Sequence, residues 1–175
     1  MAIEDWKEST DGEGAAPNRV LFESRNEFQA AIRNAFAQAA EVGCRELWLC
    51  DVNFANWPLG EIKVVEELTQ WGYAHRKLTL FALDFDEFAR RHVRWVEWRR
   101  KWAHIVECRA LKELEASQVP TIFLAPGLTT VRLFDSNNFR GSASSLKSDE
   151  VSARELLDAV SQRSVEAFPA TTLGL

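Results

Sequence analysis

Three carboxylates follow two predicted strands at the ends where open α/β sheets bind ligands. Asp51 lies at the carboxyl end of an apolar strand predicted over residues 46–52, and Asp84 and Asp86 follow a second one over 77–83. Because the carboxyl ends of parallel strands share one edge of a sheet, these side chains are candidates for a ligand or a divalent cation. The simpler interpretation is that Asp84 caps a helix and Asp51 binds its own loop, so we predict no metal and no other cofactor.

The stretch after Asp84 has the most unusual local composition. It predicts a helix over 84–102 whose aromatic residues share one face while arginines crowd the remainder. The basic residues are Arg90, Arg91, Arg94, Arg99, Arg100 and Lys101. Arginine beside tryptophan can hold a phosphate or stack on a base. Packing of the tryptophans in the core or in a protein interface is the first interpretation, and a small anionic ligand is the second. His92 is interpreted as a surface or partly packed imidazole, not as an acid–base catalyst.

A third candidate is the region from Val119 to Leu146, two apolar strands joined at a Pro-Gly turn and followed by a loop of small residues, GSAS. It contains no histidine, no lysine and one carboxylate, Asp135. Ser142 and Ser144 of the loop are the candidate ligand contacts.

These residues are positioned by a single predicted domain over 18–168, between a flexible acidic arm (1–17) and a C-terminal tail (169–175). Ser24 and Glu27 predict a capping box for a first helix with one apolar face, which ends at Gly43. The element order β-α-β-α-β-α-β-α-β-β-α predicts an α/β fold, a mixed, mostly parallel sheet sandwiched by helices.

Two further helices complete the prediction. One runs over 60–73, and the last runs over 149–167. The inner face predicted for the first consists of Ile62, Val65, Leu68 and either Trp71 or Gly72. The surplus of tryptophan is compatible with some of these side chains lying on an interface.

The element order, with GSAS at 141–144 after a late hairpin, resembles one half of the phospholipase D superfamily, including an uncharacterised bacterial group of such domains. Members carry a His-x-Lys-x4-Asp motif, and two halves pair to form one site, which implies a homodimer. Aligning the glycine that follows the motif with Gly127 places Pro126 at the Asp, Thr121 at the Lys and Val119 at the His. The resemblance therefore implies that the usual catalysis is lost, because a phosphoryl-transfer site needs a nucleophile and cationic groups.

The chain contains one His-x-Lys tripeptide, from His75 to Lys77. Asp84 follows nine residues after the histidine, at the opposite end of the predicted strand and on the order of 20 Å away. We interpret the tripeptide as a solvated turn.

Composition limits the function classes. The net charge is −5, of which −4 belongs to residues 1–17, so the remainder has no general attraction for nucleic acid or anionic lipid. No apolar run is long enough to span a bilayer, and an acidic N-terminus is not a signal peptide, so a cytoplasmic location is expected. Cys44, Cys50 and Cys108 have no metal-binding spacing, and buried reduced thiols are the first interpretation, ahead of a zinc site or a nucleophile.

Three hypotheses follow. The first is a non-catalytic phospholipase D-like domain that acts by binding or oligomerisation, as a homodimer. The second is a phosphodiesterase or other enzyme on a phosphate-bearing anion, which uses Asp51 and Asp84 with Arg91 or Arg94. The third is a sensor of a small anion on the basic helix. The candidate ligand contacts are Asp51, Asp84, Arg91, Arg94, Ser142 and Ser144.

Overall fold

The computed structural model describes residues 18–170, which form one eight-stranded sheet with helices on both faces. The strands are β1 (Arg19–Glu23), β2 (Glu46–Cys50), β3 (Lys77–Ala82), β4 (Val106–Ala110), β5 (Thr121–Ala125), β6 (Thr129–Asp135), β7 (Arg140–Ser144) and β8 (Val165–Glu166). The helices are α1 (Arg25–Val42), α2 (Ile62–Gly72), α3 (Phe88–Arg91), α4 (Val93–Lys101) and α5 (Lys147–Gln162). The predicted arm lies outside the described residues, as does most of the predicted tail.

The α/β class and the mixed sheet are confirmed, but the prediction of a mostly parallel sheet is wrong. The strand order is β1-β7-β6-β5-β2-β3-β4-β8, and only β2–β3 and β3–β4 are parallel pairs. The short connections between β5, β6 and β7 force antiparallel pairing, because a parallel pair needs a long crossover. The prediction failed because it treated the GSAS segment as a loop and did not include β8.

Each face of the sheet has its own apolar core. Leu49, Leu80 and Phe123 point into the larger core, which α1, α2, α3 and α4 cover. Cys50 and Ile122 point to the opposite face, where α5 covers a smaller core. The helices therefore enclose the sheet from both sides, as the sequence predicts.

Helix α1 confirms the predicted serine cap, apolar face and terminal glycine, but the capping box is incomplete, because the Glu27 carboxylate accepts from Ser24 Oγ and Glu23 N and not from Ser24 N. The Ser24 hydroxyl accepts a hydrogen bond from Glu27 N at 3.1 Å and donates one to the Glu27 carboxylate at 3.0 Å. The helix ends at Gly43, whose φ of +88° suits glycine, and its buried face has the predicted spacing. The buried residues are Phe28, Ile32, Ala35, Phe36 and Ala39.

The inner face predicted for α2 is confirmed at Leu68, Trp71 and Gly72 and is wrong in the first turn. Ile62 is 58% exposed, and Val64 is buried while Val65 is only partly buried. Leu68 and Trp71 are buried and set the phase of the helix, and Val64 precedes them by four and seven residues, which places it on the same face.

The last predicted helix is shorter than expected and starts earlier, since α5 spans Lys147–Gln162. The chain after it turns into β8, which pairs with Arg109 and Ala110 of β4. The Arg109 guanidinium fixes this turn by donating to the Ser164 hydroxyl at 2.6 Å and to the Ser164 carbonyl at 3.0 Å. A contact between residues so distant in sequence leaves no local pattern.

The helix predicted over 84–102 is broken into α3 and α4 at His92, whose φ of −123° and ψ of 53° are not helical. The Asp84 carboxylate accepts from Asp86 N at 3.1 Å, and α3 begins only at Phe88, so the predicted capping by Asp84 is wrong. The aromatic face is confirmed, since Phe88 and Trp95 are fully buried.

The tryptophans of the described residues lie mainly in the core, with Trp57, Trp71, Trp95 and Trp98 buried. The Cys50 and Cys108 thiols are buried and free, as predicted. No helix within residues 18–170 has the length and apolar character to cross a membrane.

Candidate functional site

The candidate site at the carboxyl end of β2 contains a half-buried carboxylate, Asp51. One of its oxygens accepts from the Thr121 hydroxyl at 2.6 Å, and the other accepts from Phe54 N at 2.8 Å. Burial raises the pKa of the Asp51 carboxyl, while the bond from Thr121 and bonds from the following backbone oppose that shift. Asp51 thus ties the end of β2 to the start of β5 and to the next turn.

The same turn is held from its other side by His92. Its Nε2 lies 2.8 Å from the carbonyl oxygen of Phe54, and because a carbonyl only accepts, Nε2 carries a proton. Burial lowers the pKa of His92, and the nearby Arg91 charge lowers it further. Phe54 has a φ of +58° and is fully buried, so a neutral imidazole and Asp51 together hold a backbone conformation that few residues adopt.

The other predicted ligand contacts in this region have local partners. Asp84 is exposed, and Arg91 pairs with Glu87 through Nε at 3.1 Å. The Arg94 guanidinium donates to the carbonyl of Gly60. Arg91 and Arg94 share a small surface cavity of about 270 Å³ whose lining does not include Asp51 or Asp84. Within residues 18–170, no three His, Cys, Asp or Glu side chains lie close enough to form a metal site.

Ser142 and Ser144 lie on β7, between β6 and β1, so the prediction that they belong to a loop is wrong. The Ser144 hydroxyl donates to the Asp149 carboxylate and accepts from Leu146 N at 3.1 Å, which fixes the entry to α5. Arg19 also binds Asp149, at 2.6 Å, and its hydrogen bond, followed by that of Ser144, lowers the pKa of Asp149.

Gly141 has a packing role that explains its presence in this strand. A Cβ atom added there would lie 2.1 Å from the carbonyl oxygen of Arg132, at the irregularity where β6 pairs with β7. Real Cβ atoms do not approach backbone so closely, so only glycine fits. Gly141, which was predicted to belong to a ligand loop, is therefore required for the packing of β7 against β6.

The positions that match the family motif hold no reactive group. Val119 is 8% exposed and packs in the smaller core. The Thr121 hydroxyl is bound to Asp51, and Pro126 stands in the β5–β6 turn before Gly127. Neither a nucleophile nor a cation is present at these three positions.

The sequence pattern did not single out Arg99, which lines a cavity of about 740 Å³ at the starts of β3 and β4. Arg99 was grouped with the exposed arginines, yet it is only 5% exposed. The signal was present, because Arg99 follows Trp95 by four residues and so shares the buried face of α4.

Comparison with known proteins shows which fold this is. No family model and no curated protein matches the chain. Among solved structures, it is similar to NucT from Helicobacter pylori, with a TM-score of 0.61 and 10% identity, over 87% of this chain and 100% of NucT. It is also similar to TrmBL2, an archaeal chromatin protein whose structure shows a novel mode of DNA binding, with a TM-score of 0.59 and 11% identity.

The match with TrmBL2 covers 90% of this chain but 56% of that protein, so this chain spans little more than half of it. At these identities the comparisons show the fold alone: an α/β arrangement shared with NucT and with part of TrmBL2.

Proposed function

We propose that this chain is a phospholipase D-like domain without catalysis, a pseudoenzyme that acts by binding or oligomerisation. The observation that carries the proposal is the state of the motif positions: Val119 is packed in the core and the Thr121 hydroxyl is bound to Asp51. Phosphoryl transfer needs a nucleophile and cationic groups around the equatorial oxygens, and these positions supply neither. The fold shared with NucT supports the assignment to this superfamily.

The oligomer we propose is a homodimer, because the two halves of superfamily members pair. The surface that supports it is the end of the sheet at β1, an edge strand with Val20 58% exposed and Leu21 71% exposed. Phe134 on β6 is 61% exposed as well. Edge strands with apolar side chains favour pairing with another chain.

Sedimentation velocity at micromolar concentration tests the dimer. We expect a dimer for the native chain and a monomer for Leu21→Lys, with Val42→Lys as a control because Val42 is 64% exposed on α1. A native chain that is strictly monomeric contradicts this part of the proposal.

A panel of phosphodiester substrates, with and without Mg²⁺ or Mn²⁺, tests the absence of catalysis. We expect no turnover. The rival hypothesis, an enzyme that uses Asp51 and Asp84 with Arg91 or Arg94, predicts turnover that Asp51→Asn abolishes. Turnover that persists in Asp51→Asn contradicts both hypotheses.

DNA binding is the second candidate. The outer surface of α3 and α4 exposes Arg90, Arg91, Arg94 and Arg100, and TrmBL2, which has a similar fold, binds DNA. The near-neutral charge outside residues 1–17 disfavours it. Fluorescence anisotropy with a labelled DNA duplex, measured between about 50 and 200 mM salt, tests this candidate. Binding through the DNA phosphates should weaken steeply over that range. An Arg90→Ser, Arg100→Ser double variant that binds as well as the native chain counts against this surface.

A further inference from the structure

The cavity beside Arg99 lies at the end of the sheet opposite to Asp51. It has a volume of about 740 Å³, and its walls are the starts of β3 and β4, the loop before β4 and the segment after β8. Ligand cavities in proteins have volumes of about 300–1,000 Å³. On the edge of β4 that faces β8, the last backbone bond runs from Ala167 N to the Cys108 carbonyl at 3.0 Å, and within residues 18–170 no strand pairs with the earlier part of that edge, while β3 pairs with the other edge. The cavity occupies this open edge.

The group that defines the cavity is the Arg99 guanidinium. The residue is 5% exposed, and its Nε and Nη1 atoms are buried without an acceptor among the described residues. The guanidinium carbon lies 4.9 Å from the centre of the Phe168 ring, which attracts a cation but accepts no conventional hydrogen bond. Burial lowers the pKa of Arg99, yet arginine stays protonated in proteins.

Neighbouring residues do not neutralise this charge. Burial raises the pKa of the Cys108 thiol to about 12, so the thiol is neutral at physiological pH. Glu107 lines the cavity but is already paired with Lys77 at 3.1 Å and with Arg109 at 2.7 Å. Glu166 also lines the cavity, and Arg76 adds a further cation. The net charge of the cavity lining is therefore positive, and the buried positive charge is that of Arg99.

Apart from the His104 imidazole, the remaining lining is apolar and comes from small or aliphatic side chains. Ala103, Ile105 and Val106 form one side, and Ala167 and Pro169 form the other. A buried cation against apolar walls matches a ligand with one anionic head and a small apolar body. A neutral ligand would leave the guanidinium unpaired, at the cost that burying a lone charge carries.

We propose that this cavity binds a small organic oxyanion, a carboxylate or a phosphate monoester, with the anionic group against Arg99 and the apolar body between Ile105 and Pro169. The proposal goes beyond the proposed function, because it requires neither the dimer nor the loss of phospholipase D chemistry.

Isothermal titration calorimetry with three probes of similar shape tests the proposal and distinguishes a carboxylate ligand from a phosphate ligand. Benzoate and phenyl phosphate carry the two oxyanions, and benzyl alcohol is the neutral match. We expect one oxyanion to bind at a single site, and benzyl alcohol to bind at least about tenfold more weakly. Arg99→Met should lose at least about tenfold in affinity, while Arg100→Met, which removes the adjacent exposed arginine, should bind as the native chain does.

Ala103→Trp is the second variant, because Ala103 is exposed at the cavity and a tryptophan there fills the space without altering Arg99. It should also lose binding, which keeps the test valid if Arg99→Met does not fold. The proposal is overturned if neither oxyanion binds at about 10 mM, if benzyl alcohol binds equally well, or if a folded variant of either kind retains native affinity. Catalytic and sedimentation results do not affect these outcomes.

Discussion

Replacing Arg99 with methionine should make the ligand-free protein more stable, although a buried residue is being changed. An unpaired buried donor costs about 1–3 kcal/mol, and the Nε and Nη1 groups of Arg99 are two such donors. Methionine has a similar length and no polar group, but it loses the attraction between the guanidinium and the Phe168 ring, worth about 0.5–2 kcal/mol. Because two donors are involved, the expected net gain in the free energy of unfolding is about 3 kcal/mol, within a range of about 0–5 kcal/mol.

Urea unfolding of the native chain, Arg99→Met and Arg100→Met measures this gain directly, and thermal melts of the same three proteins give the matching changes in Tm. A chain of this size should gain about 2–4 °C in Tm per kcal/mol, and Arg100→Met should stay within about 0.5 kcal/mol of the native chain. If the cavity binds an oxyanion, ligand at 100 times its Kd adds about 2.7 kcal/mol to the free energy of unfolding of the native chain but not of Arg99→Met. The Tm difference between Arg99→Met and the native chain should then narrow or change sign. A loss of more than about 1 kcal/mol in Arg99→Met would refute the reasoning, because it would mean that the guanidinium has a strong partner in the folded protein.

Three further predictions concern the candidate site. Thr121→Val should lower the free energy of unfolding by about 1–3 kcal/mol, because the buried Asp51 carboxylate loses a donor, whereas Thr130→Val, at a buried threonine with no such bond, should change it less. Gly141→Ala should lower the free energy of unfolding by about 1–3 kcal/mol or more, because the new Cβ atom clashes with β6. Thermal melts of this variant measure the loss, and Ser142→Ala is the neighbouring control. The lowered pKa of His92 means that the unfolded chain binds more protons near its ordinary pKa, so stability should fall as pH drops below about 6.5. Urea unfolding at several pH values should show a smaller loss in His92→Gln, which keeps a donor for the Phe54 carbonyl.

Each of these predictions has a result that contradicts it. Equal effects of Thr121→Val and Thr130→Val would mean that the bond to Asp51 contributes nothing. A native Tm in Gly141→Ala would show that β6 and β7 separate at no cost. Identical pH dependence in the native chain and in His92→Gln would show that His92 keeps its ordinary pKa on folding.

The sequence was sufficient where the determining contacts are local. Helix α1 has its capping serine, its apolar face and its terminal glycine within one stretch, and its bounds follow from them. Strand β7 has no such pattern: Gly141 to Ser144 are small residues with little strand preference, and they form a strand because β6 and β1 lie on either side. Local propensity is a weak guide where pairing with distant strands decides the conformation.

In the candidate site, too, the local contacts were predicted and the contacts between distant residues were not. That Asp51 binds its own loop was predicted, and it does so through Phe54 N. Its second partner, Thr121, is 70 residues away in the chain, and no spacing rule connects the two. The expected grouping of Asp51 with Asp84 failed for a related reason: a residue at the end of a strand can be used by the adjacent turn instead of pointing to a common cleft.

The distribution of charge in this fold argues for the Arg99 cavity over the regions where charged residues are most numerous. Exposed arginines such as Arg90 and Arg100 remain hydrated, so their clustering on α3 and α4 carries little energetic cost and requires no ligand. Arg99 is different, because it belongs to the same basic stretch but lies on the buried face of α4, where its Nε and Nη1 atoms have no acceptor within residues 18–170. A folded chain retains such an arrangement at a cost to its stability, and an anion that enters the cavity would remove that cost. The binding role proposed for this domain therefore has its most specific physical basis at the start of β4, not at the strand ends that carry Asp51 and Asp84.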